Sequence, residues 1–304
     1  MRVYGHYARI WQVKFSHADT SFFSAGEDGR FIHWNLYGDI LNTYESNIPR
    51  EGFWGISRCN DNSVLISCHS GQVVKLDYNP SKFGENEFSI PGEKIKSIEI
   101  LHDGTVFMMT EIGNLWALLH NHGSPNLIFS DTRFESYCYL CINESGTLGC
   151  VGNVKGEAKI FDPRIGNTCE IFIKPHDRKI VFMCFKSHEI TENCYLFTSD
   201  QEGCLKVHEL SLNDGLKVNF EISILDTFDH SCISALDTQI TDSYLSIATG
   251  DEKGTVRILN LRSNKIWVNK FNLKYVCMIP WPSISISNCN AEGVIVNGNF
   301  SLIR

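Results

Sequence analysis

A glycine recurs along this chain at nearly constant intervals: Gly29, Gly71, Gly113, Gly156, Gly203, Gly254 and Gly298, in steps of 42, 42, 43, 47, 51 and 44 residues. Each follows a short apolar or small-residue stretch and precedes an alternating one, as in Leu65-Ile66-Ser67-Cys68 before Gly71 and Val73-Val74-Lys75-Leu76 after it. The frame reads as two strands joined by a tight turn, where glycine accepts a positive φ without a steric penalty. A unit of this length with four short strands is a propeller blade, which buries its faces only against neighbouring copies. Seven copies therefore predict an all-β, seven-bladed β-propeller occupying residues 1–304 as one domain.

The two ends fit a closed ring. Residues 1–4 fall where the outermost strand of a preceding blade belongs, and the seventh copy stops after its third strand. The N-terminal strand is expected to complete the last blade and remove a free edge. The stretches Tyr78–Lys94 and Glu209–Thr227 read as surface loops.

Composition narrows the function classes. The net charge of −8 argues against a surface that binds nucleic acid by bulk phosphate neutralisation, so any such contact is local or shared with a partner. No apolar run is long enough to span a bilayer, so no membrane segment is expected. The N-terminus has no apolar signal region, so the 12 cysteines read as reduced cytosolic or nuclear thiols, mostly small core residues, and a cytoplasmic location is expected. The Cys138-Tyr139-Leu140-Cys141 spacing lacks a second ligand pair and falls on strands, so it reads as core packing with no metal site. No phosphate loop, HExxH or Gly-x-Ser-x-Gly motif is present, and an enzyme is not expected.

The first copy carries the most chemistry. Gly5-His6 leads into a strand, Ser24-Ala25-Gly26-Glu27-Asp28-Gly29 forms the turn, and Trp34 ends the next strand. This is the order of a WD repeat, in which His6, Ser24, Asp28 and Trp34 form a buried hydrogen-bonded tetrad with a structural role. Later copies are degenerate: His176 and His230 recur at the lead-in, with Thr198, Glu202, Thr249 and Phe161 as partial substitutes, so apolar packing is expected to hold those blades. Trp11 and Trp54 take equivalent places in the first two blades. Arg9 and Arg50, beside those first strands, are candidate partner contacts because arginine is enriched at interface hot spots. Phe161-Asp162-Pro163-Arg164 matches the aromatic-Asp-x-Arg signature of substrate receptors of cullin-type ubiquitin ligases, with a weaker copy at Leu259-Asn260-Leu261-Arg262.

One resemblance is more specific. Gly5-His6-x-Ala8-Arg9-Ile10-Trp11-x-Val13-x-Phe15, with the turn and Trp34 after it and then Gly38 and Leu41, resembles the WD-repeat accessory subunit of the tRNA 2′-O-ribose methyltransferase that acts on the wobble nucleotide. Arg50-Glu51-Gly52-Phe53-Trp54-Gly55-Ile56 is similar to the lead-in of that family's second blade, with Pro49 in place of a glycine. The match covers roughly residues 5–56. Family members are longer, with more than one propeller. The resemblance implies a non-catalytic scaffold that docks the methyltransferase catalytic subunit and presents the tRNA anticodon loop. S-adenosylmethionine is expected on the partner, with no cofactor in this chain. Arg9, Arg50 and Trp54 are then the candidate contacts to partner or tRNA. A ubiquitin-ligase receptor using Arg164, or a general scaffold, are the alternatives.

Overall fold

The computed structural model describes residues 5–16, 20–48, 50–58, 63–77, 86–119, 123–136, 138–164, 166–187, 194–211, 216–224, 231–240, 245–251, 255–262, 265–272, 284–286, 293–296 and 299–302. Residues 1–4, the expected closing strand, lie outside them, as do Pro49, His230, Gly254 and Gly298. Described residues with regular structure are all in strands, and no helix long and apolar enough to cross a membrane occurs among them.

The strands form consecutive antiparallel meanders. The first sheet is β1 (Ile10–Phe15), β2 (Ser21–Gly26), β3 (Arg30–Asn35) and β4 (Ile40–Glu45); the second is β5 (Phe53–Arg58), β6 (Ser63–Cys68), β7 (Gln72–Asp77) and β8 (Asn86–Ser89). The third is β9 (Ile95–Ile100), β10 (Val106–Thr110), β11 (Ile112–Leu118) and β12 (Asn126–Glu135). Next come β13 (Cys138–Ile142), β14 (Gly149–Asn153), β15 (Ala158–Asp162) and β16 (Gly166–Ile173), then β17 (Ile180–Ser187), β18 (Cys194–Asp200), β19 (Leu205–Ser211) and β20 (Lys217–Ile224). The sixth sheet is β21 (Ile233–Ile240), β22 (Leu245–Asp251), β23 (Thr255–Arg262) and β24 (Lys265–Asn272). A three-stranded sheet follows, β25 (Ile284–Ile286), β26 (Gly293–Val296) and β27 (Asn299–Leu302).

Two stretches read as loops contain strands. β8 lies within Tyr78–Lys94, and β20 within Glu209–Thr227. Both are fourth strands, bonded along one edge only, so their sequences need not carry the apolar pattern of a strand buried on both faces. The five turn glycines among the described residues, Gly29, Gly71, Gly113, Gly156 and Gly203, all have positive φ, between 69° and 86°.

The chain divides into two compact units, one comprising Met1–Cys138 with Ile279–Arg304, the other Tyr139–Met278. Inside each unit the core lies between successive sheets. In the first, Phe23, Ala25 and Phe31 pack with Phe53, Ile56, Val64 and Ile66, and Leu65, Val73 and Ile90 pack with Ile95, Ile98, Val106 and Met108. In the second, Cys150, Ala158 and Ile160 meet Ile180, Met183 and Leu196. Second strands are consequently buried along their whole length, as in β2 and β6. Burial of both faces replaces alternation by a continuous apolar or small-residue run.

A bulge interrupts pairing at the same place in five first strands. Trp11, Trp54, Lys96, Val181 and Ser234 are each the second residue of their strand and each is skipped in the register with the second strand. Equivalent backbone bonds fix four of these bulges: Glu27 N–H donates to Arg9 O at 2.7 Å, His69 N–H to Gly52 O at 2.8 Å, Glu111 N–H to Lys94 O at 2.9 Å and Gln201 N–H to Lys179 O at 3.1 Å. A bulge bends its strand and re-aims the extra side chain.

Candidate functional site

His6, Ser24, Asp28 and Trp34 come together as one polar chain. The Trp34 indole N–H donates to Ser24 Oγ at 2.8 Å, Ser24 Oγ lies 2.7 Å from His6 Nε2, and His6 Nδ1 lies 2.9 Å from Asp28 Oδ1. With the ring proton on Nδ1, the serine hydroxyl donates to Nε2 and Nδ1 donates to the carboxylate, so each group is used once. Asp28 also accepts from the backbone N–H of Tyr7 at 2.8 Å and of Arg30 at 3.2 Å. Gly26 leaves room for this: a Cβ there would stand 2.5 Å from Asp28 Oδ1 and 2.6 Å from His6 Nδ1.

A second polar chain exists in a copy where apolar packing was expected to contribute more than a tetrad. His176 Nε2 lies 2.9 Å from Thr198 Oγ1, which lies 3.4 Å from His208 Nε2, so a histidine stands in for the tryptophan. The acid is Asp200 and not Glu202: its Oδ2 is 3.1 Å from His176 Nδ1, a close but off-axis approach. Asp200 follows Thr198 by two residues, as Gly26 follows Ser24, so its side chain springs from the strand end where the first copy has none. Glu202 is thereby released to pair with Arg178 at 2.9 Å on the surface. Thr249 and Asp251 repeat the Thr198/Asp200 spacing and are each 1% exposed.

The carboxylates set an acid limit on stability. Burial alone would raise Asp28, but hydrogen bonds from His6, Tyr7 and Arg30 outweigh it and hold the carboxyl below its ordinary 3.8. Asp200 is lowered in the same way, burial being outweighed by His176 and the N–H groups of Cys204 and Glu202. A lowered folded-state pKa adds stability that is complete above the ordinary value and lost as pH falls through the folded value. Denaturant midpoints measured downward from pH 5 are therefore expected to fall below about pH 4, with a shallower fall in Asp28→Asn. An unchanged slope in that variant would count against the assignment.

The bulge residues of the first three sheets form a row. The Arg9 guanidinium carbon lies 4.9 Å from the centre of the Trp11 ring, Trp11 stacks on Trp54 with centroids 4.4 Å apart at 26°, and Lys96 Nζ stands 3.8 Å from the Trp54 ring centre. The Trp54 indole N–H donates to His69 Nδ1 at 3.1 Å, with those rings stacked at 5.8 Å. Behind the pair, Gln12 Oε1 accepts from Ile56 N–H, and Ser57 Oγ accepts from Ile100 N–H at 2.9 Å, linking β1 to β5 and β5 to β9. The tryptophans are half-buried, and the Trp11 indole N–H is buried with no acceptor. Sequence reasoning singled out Arg9, Trp11 and Trp54 but missed Lys96, because no residue at position 96 resembles tryptophan; the shared bulge is what identifies it.

Arg50 stands apart from this row. The backbone bond to Gly52 makes Gly52 the counterpart of Arg9, and Arg50 lies two residues earlier, exposed, with φ of 62°. A left-handed non-glycine residue costs about 1–2 kcal/mol. Next to it, the 5% exposed Glu51 accepts from the N–H groups of Gly52 at 3.3 Å and Ser70 at 3.0 Å.

The remaining motifs have local partners. Arg164 donates to Asp162 through Nε at 2.9 Å and through its terminal nitrogen at 2.6 Å, and this hydrogen bonding holds the buried Asp162 carboxyl below its ordinary value. Arg133 forms the same fork on Asp131, at 2.9 and 2.7 Å, so an Asp-x-Arg fork recurs here without the rest of the signature. The side chain of Arg262 lies outside the described residues. Cys138 and Cys141 are buried, and desolvation pushes the Cys138 thiol up to about 12, opposing the thiolate that a metal requires. Among the described residues, His176, Asp200 and Cys204 bring possible ligand atoms within 4.8 Å. His176 and Asp200 are already committed to the polar chain, and Asp200 Oδ1 accepts from the N–H groups of Glu202 and Cys204 at 3.0 and 2.9 Å.

The sheet architecture has a solved counterpart. The crystal structure of the Myceliophteria thermophila Cps50 (Swd1) β-propeller domain superposes with a TM-score of 0.72 over 96% of this chain and 93% of that one, at 13% identity. The fold is a β-propeller, and the polar tetrad of its first sheet is of the WD-repeat kind. No family profile matches the chain. Among curated proteins, the tRNA (34-2'-O)-methyltransferase regulator WDR6 of Mus musculus is 26% identical over 146 residues, covering 45% of this chain and 13% of that protein. The pre-mRNA-splicing factor cwf17 of Schizosaccharomyces pombe is 20% identical over 58% of this chain and 52% of that protein. The match thus spans about an eighth of the first relative's length and about half of the second's.

Proposed function

We propose that this chain is a seven-bladed WD-repeat propeller, a single domain over residues 1–304 closed by its N-terminal strand, and a non-catalytic scaffold for tRNA wobble-ribose methylation. The observation that carries the reading is the similarity to the regulator WDR6 across 45% of the chain. The Arg9–Trp11 lead-in supports it, because it supplies interface-type side chains on a rigid bulge instead of a reactive group. In this role the propeller docks the methyltransferase subunit, which holds S-adenosylmethionine, and helps place the anticodon loop. Arg9, Arg50 and Trp54 contact that partner or the tRNA in this cytoplasmic complex. Fixing the ribose against the methyl donor accelerates the reaction through orientation alone.

Affinity purification of the tagged chain is expected to recover a methyltransferase subunit, and deletion of its gene to abolish 2′-O-methylation of the wobble nucleotide. Normal wobble methylation in the deletion strain defeats the proposal. Recovery of a cullin adaptor, lost on Arg164→Ala, would instead support the ubiquitin-ligase reading.

A further inference from the structure

We propose that the row Arg9–Trp11–Trp54–Lys96 is a receptor for an acidic peptide segment of a protein partner. The proposal concerns the chemistry of the bound segment and does not depend on which complex the propeller serves. All four side chains belong to one compact unit: Trp11, Trp54 and Lys96 come from three consecutive first strands, and Arg9 immediately precedes the first of them. Three of them are bulge residues, held by the repeated backbone bond at each lead-in. The backbone beneath the row is therefore fixed at each lead-in, which lowers the ordering cost of docking.

Its unmet chemistry is entirely that of donors. Neither Arg9 nor Lys96 has a carboxylate partner among the described residues, although the neighbouring Lys94 reaches Glu111 at 3.5 Å. The buried indole N–H of Trp11 also has no acceptor. Burial lowers the Lys96 pKa, with the neighbouring Lys94 acting in the same direction and Glu111 against it. The Arg9 guanidinium, 4.9 Å from the Trp11 ring centre, carries an N–H fork suited to a carboxylate, a pairing that is strong when it is bidentate.

Two features favour a peptide over single-stranded RNA. A base-stacking platform needs an open aromatic face, whereas Trp11 is covered by Arg9 and Trp54, and Trp54 by Trp11 and Lys96. The chain also carries a net charge of −8, which penalises a polyphosphate more than a few carboxylates. Spacings of 4.9, 4.4 and 3.8 Å along the row put its two cations at most about 13 Å apart. An extended chain rises about 3.3 Å per residue, so acidic residues about four apart can reach both.

The test is a fluorescence titration of the full chain with a labelled oligoglutamate peptide, a glutamine peptide of equal length and an oligouridylate. Saturable binding of oligoglutamate alone is expected, weakened about tenfold or more by Arg9→Gln and by Lys96→Gln, and unchanged by Lys155→Gln on an exposed turn of the other compact unit. If Lys96→Gln melts early, Lys96→Met keeps the stem against Trp54 without the charge. Absence of oligoglutamate binding, equal binding by all variants, or preference for oligouridylate overturns the proposal.

Discussion

Replacing Ser24 with alanine is expected to destabilise the protein by about 2–5 kcal/mol, since each buried polar group left without a partner costs about 1–3 kcal/mol. Ser24 Oγ serves both the Trp34 indole and His6 Nε2, at 2.8 and 2.7 Å, so one deletion strands two groups. Asp28 would keep its contact to His6 Nδ1, but the ring would lose the bond that fixes its other side. Denaturant unfolding followed by tryptophan fluorescence reads the effect. Combining the change with Trp34→Phe should recover part of the loss, because the stranded indole N–H is then gone. A cost below about 1 kcal/mol for Ser24→Ala, or strict additivity in the double variant, would show that the tetrad does not act as a unit.

Gly156→Ala should be more damaging, at about 4 kcal/mol or more, and Gly92→Ala much less, at about 1 kcal/mol. Both glycines have φ of 79°, so both variants carry the same backbone strain. Around Gly92 an added Cβ meets nothing within 4 Å, whereas at Gly156 it would stand 2.0 Å from His176 O and 2.7 Å from Arg178 O. Those carbonyls belong to the lead-in whose His176 N–H donates to Gly156 O at 3.3 Å, so relief of the clash must displace the second polar chain as well. The difference between the two melting temperatures isolates close backbone approach from φ alone. Equal melts would mean that the turn can open freely.

The same contrast bears on what was legible beforehand. The turn glycines were readable because a positive φ penalises other residues, so the constraint is written one residue at a time. Second strands such as β6 were readable because burial on both faces leaves a continuous apolar or small-residue run, and third strands such as β7 because partly exposed positions interrupt the buried ones. Fourth strands were not: Asn86-Glu87-Phe88-Ser89 is a strand only because Gln72–Val74 pairs with it. Nothing within four such residues specifies that partner.

The candidate site divides similarly. His6, Ser24, Asp28 and Trp34 could be named in advance because their order follows a known repeat, and the structure supplies their distances. Asp200 could not, since it lies two residues from the expected position and works only because its side chain starts from the strand end and not the turn. Arg9 and Arg50 look alike in sequence, yet the bond from His69 N–H to Gly52 O pairs Arg9 with Gly52 and sets Arg50 aside.

By itself, then, the sequence determined the repeat, its turns and the first tetrad, all of which rest on steric or hydrogen-bonding demands satisfied within a single repeat. Only the tertiary structure decided that Trp11, Trp54 and Lys96 share one row, because a bulge is a property of pairing between strands and stacking is a property of neighbouring sheets. Lys96 entered the row through backbone register, which places a side chain without regard to its chemical type.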